Sequence, residues 1–541
     1  MSQDMPQRPD SRASVLPSVV ALLVTGIATS SAVSPLEPDV SFAEAGKLLA
    51  SQGEARDEFG WSADLDGDTL IVGAWLDDDL GPSSGGANVF QRDGSGIWRE
   101  VALLTAPDGL GHDRFGTSVA VSGDWGLVGA PGDDNLGSSP GAAYLFERNS
   151  GGPDNWGFVR KLVAGDGDVN DLFGESTALF GETAIVGAPG DEVLGDDSGS
   201  AYIFERDAGG PSNWGEVAKL TAFDGEASDD FAIALDLHAD RAIVGASGGN
   251  QGTGAAYVFE RDVGGPDNWG LVTKIVVADG FDNDRLGGAV AVAGETAIVG
   301  ADGDDGPGPV FEQGSAYIFE RNAGGPDNWG QVAKLIPIDG STSDHFGEDV
   351  AIDGDTVVVG SYLDDEQGTN SGSAYLFRRN EGGPEAWGKI AKVIASDGTI
   401  SDYFGSEVAL DGDTLVVAAP ENDDLGEASG AVYVFEEIAV DPTLALTGVC
   451  PGEVTFAFAG GTPLGRAGLA FSQKAGEAPI ARGPCAGIES GLAEIHGVGV
   501  LALDSDGELA LDADLPAAAC GQLFQAIDLV SCATSETTTT P

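Results

Sequence analysis

The chain is poor in positive charge, and that scarcity sets the first constraint. Its 541 residues carry 25 lysines and arginines against 88 aspartates and glutamates, a formal charge of −63. Repulsion on that scale argues against nucleic acid as a partner and against docking on an anionic membrane. It favours solubility and would attract calcium or other cations. Cysteine is as scarce: Cys450, Cys485, Cys520 and Cys532 are all there is, and all lie in about the last hundred residues. No CxxC pair occurs among them, which weighs against a zinc cluster. In an exported chain the default is two disulfides, with three possible pairings. Long apolar runs are missing too. Beyond the N-terminus nothing comes near 18 unbroken apolar residues, so no transmembrane segment is expected in the mature chain. No stretch shows helical periodicity. The four histidines, His112, His238, His345 and His496, are scattered, and none forms a metal-ligand pair in sequence.

What is present begins with an export signal. Arg8 and Arg12 make a short basic region, an apolar stretch runs from Val15 to Ile27, and Ser30-Ser31-Ala32 offers a cleavage site. Residues 1–32 are therefore expected to be a signal peptide and the protein to be secreted or held at the cell surface. The Thr-rich segment 534–541 has no hydrophobic anchor and is expected to be disordered. Glycine numbers 83, about twice the usual share of roughly 7%. Without a triplet period, that much glycine points to many tight turns between short strands.

A repeat organises the chain. Phe-Gly recurs at Phe59-Gly60, Phe115-Gly116, Phe173-Gly174, Phe346-Gly347 and Phe404-Gly405, and two altered copies, Phe231-Ala232 and Leu286-Gly287, fill the gap. Thirteen positions after the second residue of each comes Gly73-Ala74, Gly129-Ala130-Pro131, Gly187-Ala188-Pro189, Gly245-Ala246, Gly300-Ala301, Gly360-Ser361 or Ala418-Ala419-Pro420. One unit reads as four strands. In the third copy these are Ser176–Leu179, Ala184–Ala188, Ser200–Phe204 and Val217–Thr221. A two-residue turn joins the first two. The second strand is nearly all apolar, as if covered on both faces, and the fourth alternates like an outer strand. Such sheets bury both faces only when stacked radially. The expected fold is an all-β, seven-bladed β-propeller of four-stranded blades over residues 45–437. The last copy has no fourth strand of its own, so Lys47–Ala50 is expected to supply it and close the ring. Residues 441–533, with runs such as Val454–Phe458 and Gly499–Leu503, read as a small disulfide-stapled β-sandwich.

Phe-Gly followed by Gly-Ala-Pro in this spacing resembles the FG-GAP repeat of the integrin α-subunit head, in its short bacterial variety. The resemblance covers roughly residues 45–437 and implies a seven-bladed propeller, an extracellular setting and a binding role with a protein or glycan ligand. One departure matters. Calcium-holding integrin repeats carry a DxDxDG-like loop between the first two strands, cut here to Asp66-Gly67-Asp68, Asp353-Gly354-Asp355 or less. So short a hairpin cannot wrap an ion that takes six to eight oxygens, and those calcium sites do not carry over.

Acids gather instead in the loops after the second strands and between blades, which emerge on one face of a propeller. Asp133, Asp134, Asp191, Asp304, Asp305, Asp364, Asp365, Asp423 and Asp424 are candidate calcium ligands there; turn chemistry and solvation are the other reading. The fourth blade breaks the acidic ring with the neutral loop 247–251, a conceivable ligand entrance. The opposite face carries Gly-Gly-Pro-x-x-Trp-Gly loops with Trp156, Trp214, Trp269, Trp329 and Trp387. These rings either stack on sugars, as in a lectin, or pack beneath their own hairpins. Two GxSxG matches lie in acidic surface loops, not on a strand-to-helix elbow, and carry no catalytic meaning. Extracellular ligand binding or adhesion, assisted by calcium, is thus the leading expectation, with a binding protein favoured over an enzyme. A carbohydrate-binding propeller and a polysaccharide hydrolase or lyase working in the central funnel are the alternatives.

Overall fold

The apolar second strand of each repeat is where the fold is won. In six of the seven copies every residue of it is buried, as in Thr183–Ala188, and in the seventh only Arg241 is partly exposed. The computed structural model describes residues 40–439, apart from the loop segments 135–139, 153–154, 307–309 and 326–327, and beyond residue 439 only the backbone of a series of strands. The chain divides into two compact units, one of them Val40–Val440.

In that unit seven antiparallel four-stranded sheets follow one another, at residues 62–104, 119–162, 177–220, 231–275, 290–335, 346–393 and, for the seventh, 408–439 together with 40–48. The first strand of each sheet packs against the first strand of the next, and the seventh returns to the first. The result is a closed seven-bladed β-propeller. The N-terminal strand Val40–Leu48 completes the last blade, antiparallel to Ala431–Ala439 with Lys47 opposite Tyr433. The swap removes an open sheet edge and joins the two ends of the ring.

Seven apolar clusters make up the core, one between each pair of neighbouring blades. Between blades 2 and 3, for example, Leu127 and Leu145 meet Val186, Tyr202 and Trp214. No blade could bury these faces alone, so stability is shared between neighbours.

The repeat motif has two structural duties. The Phe ring is fully buried and meets the aromatic residues of its own third strand edge-on, as Phe115 does with Tyr144 at 5.6 Å and Phe146 at 6.0 Å. Its backbone bridges in parallel to a glycine of the preceding blade. All seven such bridges form, from Gly85–Phe115 to the closing pair Phe59–Gly430, and the altered copies Phe231 and Leu286 keep theirs. Gly430 has φ +82°, and a Cβ there would lie 2.0 Å from the Phe59 carbonyl oxygen. The invariant thirteen-residue step follows from a hairpin bond: Gly60 N–H donates to the Gly73 carbonyl at 2.9 Å, and Gly116, Gly174, Gly287 and Gly405 repeat it.

In the second unit Gly452–Ala459 pairs with Thr443–Gly448 and Leu509–Leu515. Arg466–Ser472 lies between His496–Ala502 and Leu523–Asp528, and Ala475–Pro479 pairs with Glu489–Leu492. Thr538–Thr539, inside the stretch expected to be disordered, pair with Leu523 and Phe524. The four cysteines, and with them the expected disulfide staples, lie outside the described residues, as does the expected signal peptide.

Candidate ligand-binding site at the channel mouth

The loops after the second strands and the loops between blades do share one face. Lys161 of the fourth strand of blade 2 shows it by joining the two loop types, with Nζ 2.9 Å from Asp108 and 2.6 Å from Asp133. Tyr144 donates its hydroxyl into the same pair of carboxylates. Blade 3 repeats this unit with Lys219, Asp166, Asp191 and Tyr202, blade 5 with Lys334, Asp279, Asp304 and Tyr317, and blade 6 with Lys392, Asp339, Asp364 and Tyr375. In blade 7 the lysine is Lys47 of the swapped strand, held by Asp397 and Asp424. Blade 4 keeps Lys274 and Asp224.

Four of the candidate calcium ligands, Asp133, Asp191, Asp304 and Asp364, are therefore buried carboxylates already neutralised by a lysine ammonium. A calcium ion there would have to displace that ammonium. Although desolvation opposes it, the Lys161 and Tyr144 bonds hold Asp108 below the usual carboxylate range. Asp134, Asp305, Asp365 and Asp423 are exposed; the last three accept backbone N–H bonds within their own loops, from Glu312, Asn370 and Ala428. The fourth-blade loop forms a short 3₁₀ turn at Asn250–Gly252.

The five loop tryptophans are buried rather than displayed. Trp214 is 1% exposed and crosses Trp125 at 5.1 Å; Trp156, Trp269, Trp329 and Trp387 are also buried. Each belongs to the cluster shared with the preceding blade, not simply to its own hairpin. Arginines lie over three of the rings, among them Arg379 at 4.8 Å from Trp387. Their faces are consumed by packing, and no sugar can stack on them.

Ligand-competent groups gather elsewhere, around the axis. Three repeat positions meet at the inner edge of the acidic face: the residue before Phe-Gly, the one after it, and the one after Gly-Ala. In blade 1 they are Glu58, Trp61 and Trp75. The two indole rings lie 4.8 Å apart, Trp75 Nε1 donates to Glu58 at 2.7 Å, and the Arg114 guanidinium of blade 2 lies over Trp75 at 5.1 Å. Trp61 is 43% exposed, and the other eight tryptophans are buried or half-buried. Burial raises the Glu58 carboxyl despite the Trp75 bond.

A second group forms between blades 5, 6 and 7. His345 Nδ1 is 3.0 Å from Asp302 Oδ2, and Arg285 Nη2 lies 3.0 Å from the same oxygen. His345 meets Tyr362 at 5.7 Å, and Tyr362 meets Tyr403 at 5.5 Å. Deeper, on the innermost strands, acids link neighbouring blades: Asp64 accepts from Val121 N, Asp349 from Val408 N and Glu407 from Ala63 N. Burial pushes Asp64, Glu348 and Asp349 up to about 7, and Glu407 is raised as well.

Of these mouth residues the sequence singles out only His345, as one of four scattered histidines, although a further signal is there. Pro131, Pro189 and Pro420 follow Gly-Ala or Ala-Ala in three copies, whereas Trp75, Asp302 and Tyr362 stand at the same position in three others. Three of the four departures from proline mark chemically equipped blades; the fourth is Ser247.

Comparison with known proteins agrees with the geometry. No curated protein matches the chain. A family model described as FG-GAP repeat matches seven times, at residues 42–90, 98–146, 156–204, 214–259, 269–319, 329–377 and 387–435. Each match begins in, or one residue before, the outer strand of one blade and runs through the first three strands of the next, and the first begins in the swapped N-terminal strand. With seven matches covering more than half of its length, the chain belongs to the FG-GAP repeat family.

Proposed function

We propose that this protein is an exported, integrin-like propeller that binds an extracellular ligand, and that it takes the ligand at the mouth of its central channel. The observation that carries this reading is Trp61, exposed and tilted against Trp75, whose own ring bonds the Glu58 carboxylate and lies under the Arg114 guanidinium. An open indole face beside one acceptor and one donor group suits a pyranose ring, and it also suits the basic side chain of a protein partner. The carbohydrate-binding alternative thus moves from the buried loop tryptophans to Trp61. Family membership supports a binding role over catalysis. Calcium is not required by the four inner acids, because lysine supplies their positive charge. The test is binding of the full chain and of Trp61→Ala to a glycan array and to a basic-peptide array. Loss of binding in the variant at unchanged melting temperature is expected; equal binding by both would overturn the assignment.

One observation favours a second reading. Burial raises the carboxyl groups of Asp349 and Glu407, on neighbouring blades, and the Asp349 charge raises Glu407 further, as in the acid–base pair of a polysaccharide-cleaving enzyme. Turnover of a polysaccharide that disappears in Glu407→Gln would establish it in place of the binding role.

A further inference from the structure

We propose that Asp302, His345 and Glu348 form a binding site for a first-row divalent transition-metal ion of the zinc type. One ligand atom from each residue lies within 4.8 Å of the other two. The 3.0 Å between His345 Nδ1 and Asp302 Oδ2 is close to the separation of two ligands that share one ion at about 2.0–2.2 Å. An imidazole with two carboxylates is the donor set of zinc, manganese and iron, whereas calcium takes oxygens in larger number.

The donors are mounted on rigid parts of the fold. Asp302 follows directly on the fully buried strand Thr296–Ala301. His345 and Glu348 flank Phe346-Gly347, the hook that fastens blade 6 to blade 5 through Gly314. The repeat itself serves as a control. At the same three positions of the other six blade junctions, no histidine occurs, and proline stands in the place of Asp302 at three of them. The trio is a feature of one junction and not of the repeat.

The charge balance also calls for a cation. The Glu348 carboxylate is half-buried and has no hydrogen-bond partner among the described residues. Arg285 serves only part of the site: its Nη2 lies 3.0 Å from Asp302 and 3.5 Å from His345 Nδ1. Its side chain is 45% exposed, so it can swing into solvent as an ion arrives. Three protein donors leave coordination positions for water or for an oxygen of a ligand at the mouth. The inference does not depend on the Trp61 reading, which concerns other blades.

The experiment uses the full chain, stripped with EDTA. ZnCl₂ is titrated calorimetrically, CoCl₂ is followed by visible ligand-field absorption, and CaCl₂ serves as control for weak binding to surface acids. One saturable Zn²⁺ site above the calcium background is expected. Asp302→Asn and His345→Ala should each weaken it at least about tenfold, while Arg285→Ala should bind Zn²⁺ as tightly as the parent or more tightly. Melting curves accompany every variant, and Arg285→Ala keeps all three donors should the others fold poorly. The proposal fails if no site rises above the calcium background. It also fails if Asp302→Asn and His345→Ala titrate like the parent. Weaker binding in Arg285→Ala would likewise overturn it, by showing that the guanidinium organises the cluster and is not its competitor.

Discussion

The ammonium of Lys161 lies 2.6 Å from the carboxylate of Asp133, which is 1% exposed, and blades 3, 5 and 6 repeat the pair. A carboxylate buried to that degree needs a partner charge. The fourth strand delivers one, because Lys161 stands opposite Tyr144 on the neighbouring strand and both side chains reach the same loops. Blade 1 shows the interdependence. It has Asn88 for the tyrosine, Leu103 for the lysine and Gln52 for the inter-blade aspartate. The tyrosine, the lysine and the inter-blade aspartate are replaced together there, while the loop acid Asp77 stays.

Removing one of these lysines strands a buried acid. Lys219→Met leaves Asp191 buried beside Asp166 without a cation. The expected cost is about 3 kcal/mol, read as a lower urea midpoint at unchanged slope. In the parent protein, neither millimolar calcium nor EDTA should shift the transition by way of these acids; a large shift abolished in Asp191→Asn would contradict the lysine assignment.

Closure of the ring rests on Phe59, Gly430 and the swapped strand. Gly430→Ala places a methyl group 2.0 Å from the Phe59 carbonyl oxygen at φ +82°, and should destabilise by more than about 1 kcal/mol. Gly67→Ala, in a hairpin turn with nothing within 4 Å of the new Cβ, carries only the conformational cost at φ +59°. Deletion of residues 44–52, which removes half of the swapped strand, should lower the melting temperature further than either. An unchanged melting curve after that deletion would refute closure by the N-terminal strand.

The two kinds of tryptophan should separate cleanly on substitution. Trp214→Ala opens the cluster between blades 2 and 3 and should cost about 3–5 kcal/mol. Trp61→Ala, at an exposed ring, should leave the melting temperature nearly unchanged while removing ligand binding. Chemical denaturation of both variants side by side is the measurement.

Stability should rise as the medium is acidified from neutrality. Burial, followed by neighbouring acids, raises the carboxyl groups of Asp57, Asp113 and Asp284 to about 6, and Asp64 to about 7, against 3.8 when unfolded. The folded state therefore binds more protons than the unfolded chain between about pH 4 and 7, and stability declines as pH rises through that window. Asp108 and Asp166 are shifted the other way, and their contribution is lost below about pH 4. Melting temperatures should peak between roughly pH 4 and 6. A maximum at pH 8 would show that these acids are not desolvated as described.

The sequence by itself determined the architecture. A fixed thirteen-residue hairpin, an all-apolar second strand and a missing last strand matched by a spare first one leave little besides a seven-bladed ring closed by its N-terminus. These are local and periodic properties, and periodicity is what a sequence displays directly. The tertiary structure decided the chemistry. Only radial packing shows that Trp214 is spent on the neighbouring blade while Trp61, one residue after Phe59-Gly60, opens to solvent. Only the folded face shows that Asp133 and Lys161 neutralise each other across 28 positions, and that Asp302 meets His345 across 43. Burial and charge pairing depend on distances between blades, and a linear spacing of acids and aromatic residues does not encode those distances.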